Sequence, residues 1–260
     1  MNDQQKNRLD AILSYLNMKE FVSVKELAAE LDVTEMTIRR DIQILKDNKI
    51  VRQLHGAVTR NPDSQFDLDS YSYSIMQTKS IREQEKERIG KEAVKLIRAK
   101  DTVFIDIGTT AAALAKAIPL NLDITAGCFS TNIFSELVKK KIKDIFLSGG
   151  FYHRDTEAFE SDEAVNALER MRANTAFIAP SGISMEMGLT AMTPYEAKIK
   201  SAMIANAEKR VLIADSSKFS EIRPCFISSF DRINTVITDK GISDEWIEFF
   251  NKRNIEIRLC

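Results

Sequence analysis

From about residue 80 to its end the chain repeats one pattern: a short apolar run, a polar turn, then a longer segment with helical periodicity. An amphipathic stretch over 81–99 leads to "TVFID", and a helix follows from Thr110. Next come "ITAGC", a helix from Thr131, "DIFLS", a helix around 160–171, "TAFIAP" and a helix from Pro194. "RVLIA", "TVIT", a helix around 243–252 and "IEIRL" complete the series. Apolar runs this short, alternating with helices, predict strands buried on both faces, and therefore an α/β fold with a mostly parallel sheet covered by helices on both sides.

Ligands of such sheets collect at the carboxyl ends of the strands. At that edge small, hydroxylic and glycine residues recur: "DIGTT" (106–110), "CFSTN" (128–132), "SGG" (148–150), "PSG" (180–182), "DSSKF" (215–219) and "TDKG" (238–241). Gly108 allows close backbone approach, Thr109 and Thr110 offer hydroxyls, and the helix start behind them presents unpaired N–H groups, a cradle suited to phosphate. Lys218 adds a positive charge. Plainer roles are open to the same residues. Thr109 or Thr110 can cap the helix, Thr193, Pro194 and Glu196 read as a capping box, and Lys200 stands at ion-pair spacing from Glu196 on a surface helix. His153 has no companion at metal-ligand spacing, so neither a metal nor another cofactor is expected.

The first 58 residues follow another rule. Leu9, Ile12, Leu13 and Leu16 form the stripe of an amphipathic helix over about 3–18. Ser23 and Glu26 make a capping box for a second helix with Leu27, Ala28 and Leu31 inward, and after a turn at Asp32 and Val33, Thr34 is the N-cap of a third. Two short helices joined so tightly form a helix-turn-helix candidate. At 100° per residue Ile38, Ile42 and Leu45 of the third helix face a core, while Met36, Arg40 and Gln43 gather opposite, bordered by Thr37 and Arg39. That face has the chemistry that reaches phosphates and base edges in a major groove. "KIVRQLHGAV" (49–58) reads as a hairpin wing carrying Arg52 and His55. Residues 33–60 hold six basic residues against three acidic ones, within a chain of net charge −1.

Composition divides the chain at the same place. Of nine glycines only Gly56 precedes residue 90, and the first proline is Pro62. A DNA-binding domain over 1–58, a polar linker over 59–78 and a larger domain over 79–260 are expected; Phe66, Leu68, Tyr71, Tyr73 and Ile75 alternate with polar residues, so part of the linker could instead be a strand. With 44% hydrophobic and 29% charged residues, no membrane-length apolar run, no secretory leader at "MNDQQKNRLD" and three scattered cysteines, a reduced cytoplasmic protein without membrane association is expected.

The stretch "VKELAAELDVTEMTIRRDI" (24–42) follows, almost residue for residue, the pattern V-x-E-L-A-x-x-L-x-V-S-x-x-T-I-R-R-D-L, and by it the chain resembles the DeoR family of bacterial transcriptional regulators. The resemblance extends to the second half. There D-x-G-T-T matches Asp106 to Thr110, G-G matches Gly149 and Gly150, G-L-T matches Gly188 to Thr190, E-x-x-x-K matches Glu196 and Lys200, and D-S-S-K-F matches Asp215 to Phe219. It implies a winged helix-turn-helix followed by an α/β domain similar to ribose-5-phosphate isomerase that senses a phosphorylated sugar. Asp106, Gly108, Thr109, Thr110, Ser130, Gly149, Gly150, Glu196, Lys200 and Lys218 are the effector candidates. Thr34, Met36, Thr37, Arg39, Arg40, Gln43, Arg52 and His55 are those for operator DNA. The expected protein is a repressor of a sugar operon that acts as a homo-oligomer, dimer or tetramer, rather than an enzyme. The competing reading, a sugar-phosphate isomerase or deaminase with a fused DNA-binding domain, would need Glu196 or Asp215 as its acid/base.

Overall fold

The computed structural model describes residues 8–9, 12, 15–16, 19, 21–47, 50–54, 57–61 and 82–260. The chain divides into two compact units, Met1–Tyr71 and Ser72–Cys260. Among the described residues no helix is long and apolar enough to cross a membrane.

In the first unit Leu9, Ile12 and Leu16 are helical and buried, as their spacing predicts. Leu13 lies outside the described residues. Strand β1 (Phe21–Ser23) runs straight into α1 (Val24–Glu30), because Ser23, the last residue of the strand, caps the helix by accepting the Glu26 N–H at 3.1 Å. Asp32, at φ 49°, turns the chain in the left-handed region. Helix α2 (Glu35–Asp47) then starts where Thr34 predicts, its hydroxyl accepting the Thr37 N–H at 3.2 Å. Strands β2 (Val51–Leu54) and β3 (Ala57–Arg60) form the wing. The sheet has three strands in the order β1-β3-β2, so the hairpin gains a partner strand that the sequence does not predict. Strand β3 also runs to Arg60, past the boundary expected after residue 58; 62–78 of the expected linker lie outside the described residues. Leu27, Ile38, Ile42, Leu45, Val51 and Val58 close the core, each fully buried aliphatic side chain contributing about 1.5–3 kcal/mol by area.

The second unit is built on a seven-stranded sheet, β15-β14-β12-β9-β4-β5-β6, with every pair parallel. Its strands are β4 (Thr102–Ile105), β5 (Thr125–Cys128), β6 (Asp144–Leu147), β9 (Ala173–Ile178), β12 (Ala207–Ile213), β14 (Thr235–Thr238) and β15 (Glu256–Leu259). Side chains alternate between faces with period two. Val103, Ile105, Val211 and Ile237 join Ile89 of α3 (Glu83–Ala93), Leu114 of α4 (Thr109–Ala117) and Leu137 of α5 (Thr131–Lys139). Phe104, Leu212 and Val236 join Leu168 of α6 (Asp162–Arg170), Met203 of α7 (Pro194–Ala205) and Trp246 of α8 (Asp244–Asn251). The helix expected over 81–99 ends sooner, at Ala93, and passes into a 3-10 turn over Val94–Leu96.

Two antiparallel additions interrupt the expected alternation. A hairpin, β7 (Phe151–His153) with β8 (Ala158–Glu160), precedes α6, and a small sheet β10-β11-β13 is formed by Gly182–Ser184, Gly188–Ala191 and Cys225–Ser228. The chain builds outward from β4 through β5 to β6, then returns to lay β9 on the other side of β4. The reversal leaves a crevice at the carboxyl ends of β4 and β9, the place where open α/β sheets bind ligands.

Candidate functional site

Helix α2 carries the first candidate site. Its spacing turns Ile38, Ile42 and Leu45 inward, and on the outer side Met36 is 63% exposed with Arg39, Arg40 and Gln43 exposed beside it. Thr34 and Thr37 share a hydroxyl contact at 3.0 Å at the helix start. Arg39 meets Glu35 one turn back at 3.3 Å, and Gln43 donates to Asp47 at 2.7 Å; both contacts are solvated and therefore weak. Arg52 is exposed on β2, while His55 lies outside the described residues. The structure thus brings Met36, Arg39, Arg40 and Gln43 onto one outer face over a packed core.

Asp41, next to the arginine pair, is completely buried, and its carboxylate accepts the Nε–H of Arg8 at 2.5 Å, tying the first helical segment to α2. The positions 38, 41, 42 and 45 already mark it as part of the inward stripe.

The second candidate site lies at the crevice. Asp106, just past β4, has no exposed surface; its Oδ1 accepts the Ile107 N–H, and its Oδ2 accepts both the Ala179 N–H beyond β9 and the Lys200 ammonium, all at 2.7 Å. Lys200 also donates to the Ala179 carbonyl at 3.1 Å. Lys200 is therefore no surface partner of Glu196: it is 1% exposed and, with Asp106, clamps the ends of β4 and β9 from below. Burial pushes the Asp106 carboxyl above its ordinary value, opposed by Lys200 and the two N–H donors. Glu196 is buried too, accepting the Thr193 hydroxyl at 3.1 Å, and burial raises its carboxyl against the pull of Lys200.

Above the clamp, Gly108 (φ 117°, ψ 174°) is the N-cap of α4, and no side chain caps that end. This corrects the plainer reading in which Thr109 or Thr110 is the cap: both lie inside the first turn, Thr109 half-buried and Thr110 buried. By helix geometry the first-turn N–H groups have no intrahelical acceptor, which leaves them as donors at the start of α4. Ser130, wholly buried, is the N-cap of α5 and donates to Asn132 Oδ1 at 2.7 Å, while Asn132 Nδ2 and Ser148 Oγ are buried without a hydrogen-bond partner among the described residues. Gly150 has its own structural reason. At φ 143°, a Cβ there would collide with the Glu160 carbonyl across the hairpin, and Gly149 beside it is exposed.

One cation escapes the sequence reading. Lys86 of α3 is 4% exposed, and desolvation brings its ammonium down to about 8, against the attraction of Asp215 and together with repulsion from Lys218. Lys218 sits half-buried in the 3-10 turn Ser216–Lys218 after β12. Lys86, Thr109 and Asn132 line one recess of about 560 Å³. The available signal was position: Lys86 shares its stripe with Ile89, Gly90 and Ala93, where an apolar residue is the rule.

Comparison with known proteins agrees with this two-part construction. Residues 8–64 match the DeoR-like helix-turn-helix domain and residues 81–240 the DeoR C-terminal sensor domain. The chain is 30% identical to the deoxyribose operon repressor of Escherichia coli (strain K12), covering 99% of both chains. It is 27% identical to the HTH-type transcriptional regulator IolR of Bacillus subtilis (strain 168), over 97% of this chain and 98% of that one. Among solved structures, ribose 5-phosphate isomerase A from Methanocaldococcus jannaschii superposes on 53% of this chain and 54% of its own at 17% identity and a TM-score of 0.39. With its helix-turn-helix reader and its sensor domain both matched, and a relative aligned end to end, the chain belongs to the DeoR family of transcriptional regulators.

Proposed function

We propose that the protein is a cytoplasmic repressor of a sugar operon, that it binds operator DNA as a homo-oligomer, and that a phosphorylated sugar in the second unit changes its grip. The observation that carries this reading is the outer face of α2, where Met36, Arg39, Arg40 and Gln43 are exposed over a core packed by Ile38 and Ile42. Thr34, Thr37 and Arg52 extend that face toward phosphates, and His55 would add the tip of the wing. A single winged helix neutralises few phosphates, so two copies on paired half-sites supply the affinity. The domains are the reader over about 1–58, extended by the strand to Arg60, and the effector domain from about 79.

For the effector, Gly108, Thr109 and Thr110 at the uncapped start of α4 form the phosphate cradle, with Lys86 and Lys218 as its cations. Ser130, Asn132 and Glu196 face the sugar, and Gly149 and Gly150 shape the rim. Asp106 and Lys200 act beneath the site, holding its two strands, rather than on the ligand. The relatives named as a deoxyribose operon repressor and a lactose phosphotransferase system repressor support a sugar operon as the target. Alanine at Arg39 and Arg40 should abolish operator binding and lower the salt dependence by about one unit for each phosphate no longer neutralised, with the fold intact. Unchanged anisotropy titrations at fixed salt would overturn the reading. Coupled assays with a panel of sugar phosphates test the enzymatic alternative, which appreciable turnover would favour.

A further inference from the structure

Arg82 is the first residue described after 62–81, and with it the described part of the sensor unit begins. It stands at the N-cap of α3 in the left-handed region, φ 52° and ψ 41°, and no side chain caps the helix there. A residue with a Cβ adopts that backbone at a cost, and persists in it only when its surroundings hold it. What holds Arg82 is its own side chain: Nη1 donates to the Ser216 hydroxyl at 2.5 Å, Nε lies 3.9 Å from the Asp215 carboxylate, and Nη1 lies 3.9 Å from that of Asp239.

The anchor is built into the effector loops. Ser216 opens the 3-10 turn that carries Lys218. Asp215 accepts the Ser217 N–H at 3.1 Å, and Asp239 accepts the N–H groups of Ser216 at 2.6 Å and Gly241 at 2.9 Å, so the loops after β12 and β14 form one piece. Lys86, one turn along α3 from Arg82, is attracted to the same Asp215 and repelled by Lys218. An anion taken up between Lys86 and Lys218 changes the charge balance on the carboxylates that hold Arg82. How firmly each ion pair is held decides whether that change can move it. Lys200 and Asp106 are sealed at 2.7 Å, whereas the Arg82 side chain is 41% exposed and its ion-pair distances are long. The first contact is a fixed clamp; the second is weak enough to be redistributed by a nearby charge.

We infer that Arg82 is the positioning residue through which occupancy of the effector site reaches the DNA-reading unit: its anchorage on Ser216, Asp215 and Asp239 sets the backbone at the start of α3, and a bound phosphate shifts that anchorage. The inference rests on the effector reading proposed for the crevice, and it concerns coupling, not binding.

The test uses the full chain, a DNA fragment flanking its own gene, and three probes: ribose 5-phosphate, glucose 6-phosphate and inorganic phosphate. Operator affinity is measured by anisotropy with and without each probe, and probe binding by the rise in melting temperature. The wild type should change its operator affinity about fivefold or more with at least one sugar phosphate, and inorganic phosphate alone should bind with a smaller change. Arg82→Ala should keep the probe-free operator affinity and the thermal shift within about twofold of wild type, while the affinity ratio collapses toward one. Ser216→Ala, which leaves the arginine in place, should lower the ratio in part, and Arg82→Lys should restore part of it. The proposal is overturned if Arg82→Ala keeps the wild-type ratio, whatever Ser216→Ala does. It is also overturned if Arg82→Ala loses probe binding, which would make Arg82 a ligand contact, or loses probe-free operator binding, which would make it a scaffold. If no probe alters the wild type by either readout, the effector reading fails and the inference with it.

Discussion

Lys200→Met removes one charge from the sealed pair while keeping an unbranched apolar stem of similar length. At 2.7 Å the attraction between the two ions is about 6 kcal/mol for an effective dielectric near 20, and desolvating them costs several kcal/mol each, so the intact pair contributes little net stability. Breaking it is another matter. The Asp106 carboxylate would keep the Ile107 and Ala179 N–H groups but lose its countercharge, with no access to water. Stranding a buried ion in this way costs about 3–5 kcal/mol. For a unit of this size each kcal/mol lowers the midpoint by about 2–4 °C, so calorimetry should show a fall of about 6–20 °C. The deficit has a pH signature. A carboxyl raised by burial binds its proton more tightly folded than unfolded, so acidification through the window from its ordinary value near 3.8 up to its raised one favours the folded state. Without Lys200 the raise is larger, and the gap to wild type should narrow as pH falls. The double variant Asp106→Asn with Lys200→Met removes both charges of the pair and should recover at least half of the loss. A single-variant deficit under about 1 kcal/mol at neutral pH, or a double variant as unstable as the sum of the singles, would refute the clamp.

Asp41→Ala should destabilise the reading unit by about 1.5–3 kcal/mol, because the part-buried Arg8 contact is a charged hydrogen bond, with the salt slope of DNA binding unchanged; thermal melting and titration against salt check the two halves. Gly90→Ala should cost about 1–3 kcal/mol or more, since its Cβ would lie 2.6 Å from the backbone carbonyl of Ala113 and α3 would have to move away from α4; the midpoint in thermal melting should fall accordingly. Lys86 binds its proton less tightly folded than unfolded, so stability of the sensor unit should rise between about pH 8 and the ordinary lysine value of 10.5, and Lys86→Met should flatten that part of the profile in pH-dependent denaturant titrations.

What the sequence reveals and what it hides have physical causes. The arginine face of α2 was legible because a helix fixes azimuth at 100° per residue, so Ile38 and Ile42 inward imply Arg40 outward. The parallel sheet was legible because its strands are apolar on both faces. Strand β1 was not: three residues, Phe21–Ser23, carry no readable period, and the same holds for β7, β8 and β10. The true partner of Lys200 is hidden from sequence for a related reason. Sequence spacing offers Glu196 one turn away, whereas Asp106 is 94 residues distant and is brought there only by the reversal of strand order between β4 and β9. Lys86 lay in plain view at a core position, yet a charge in an apolar stripe is informative only once burial is known.

Ser23 belongs at once to the last rung of β1 and to the first turn of α1, while the Ile50 N–H bonds the Leu45 carbonyl and the Asn61 N–H bonds the Ile50 carbonyl. Among the described residues the wing is therefore tied to α1 through β1 and Ser23, and to the reading helix through Ile50. A read-head tied in this way is suited to meet the double helix as a stamp with fixed relief, not as a hand that closes. On the proposed reading, selection for new targets acts by changing the letters on that stamp, the exposed side chains of α2.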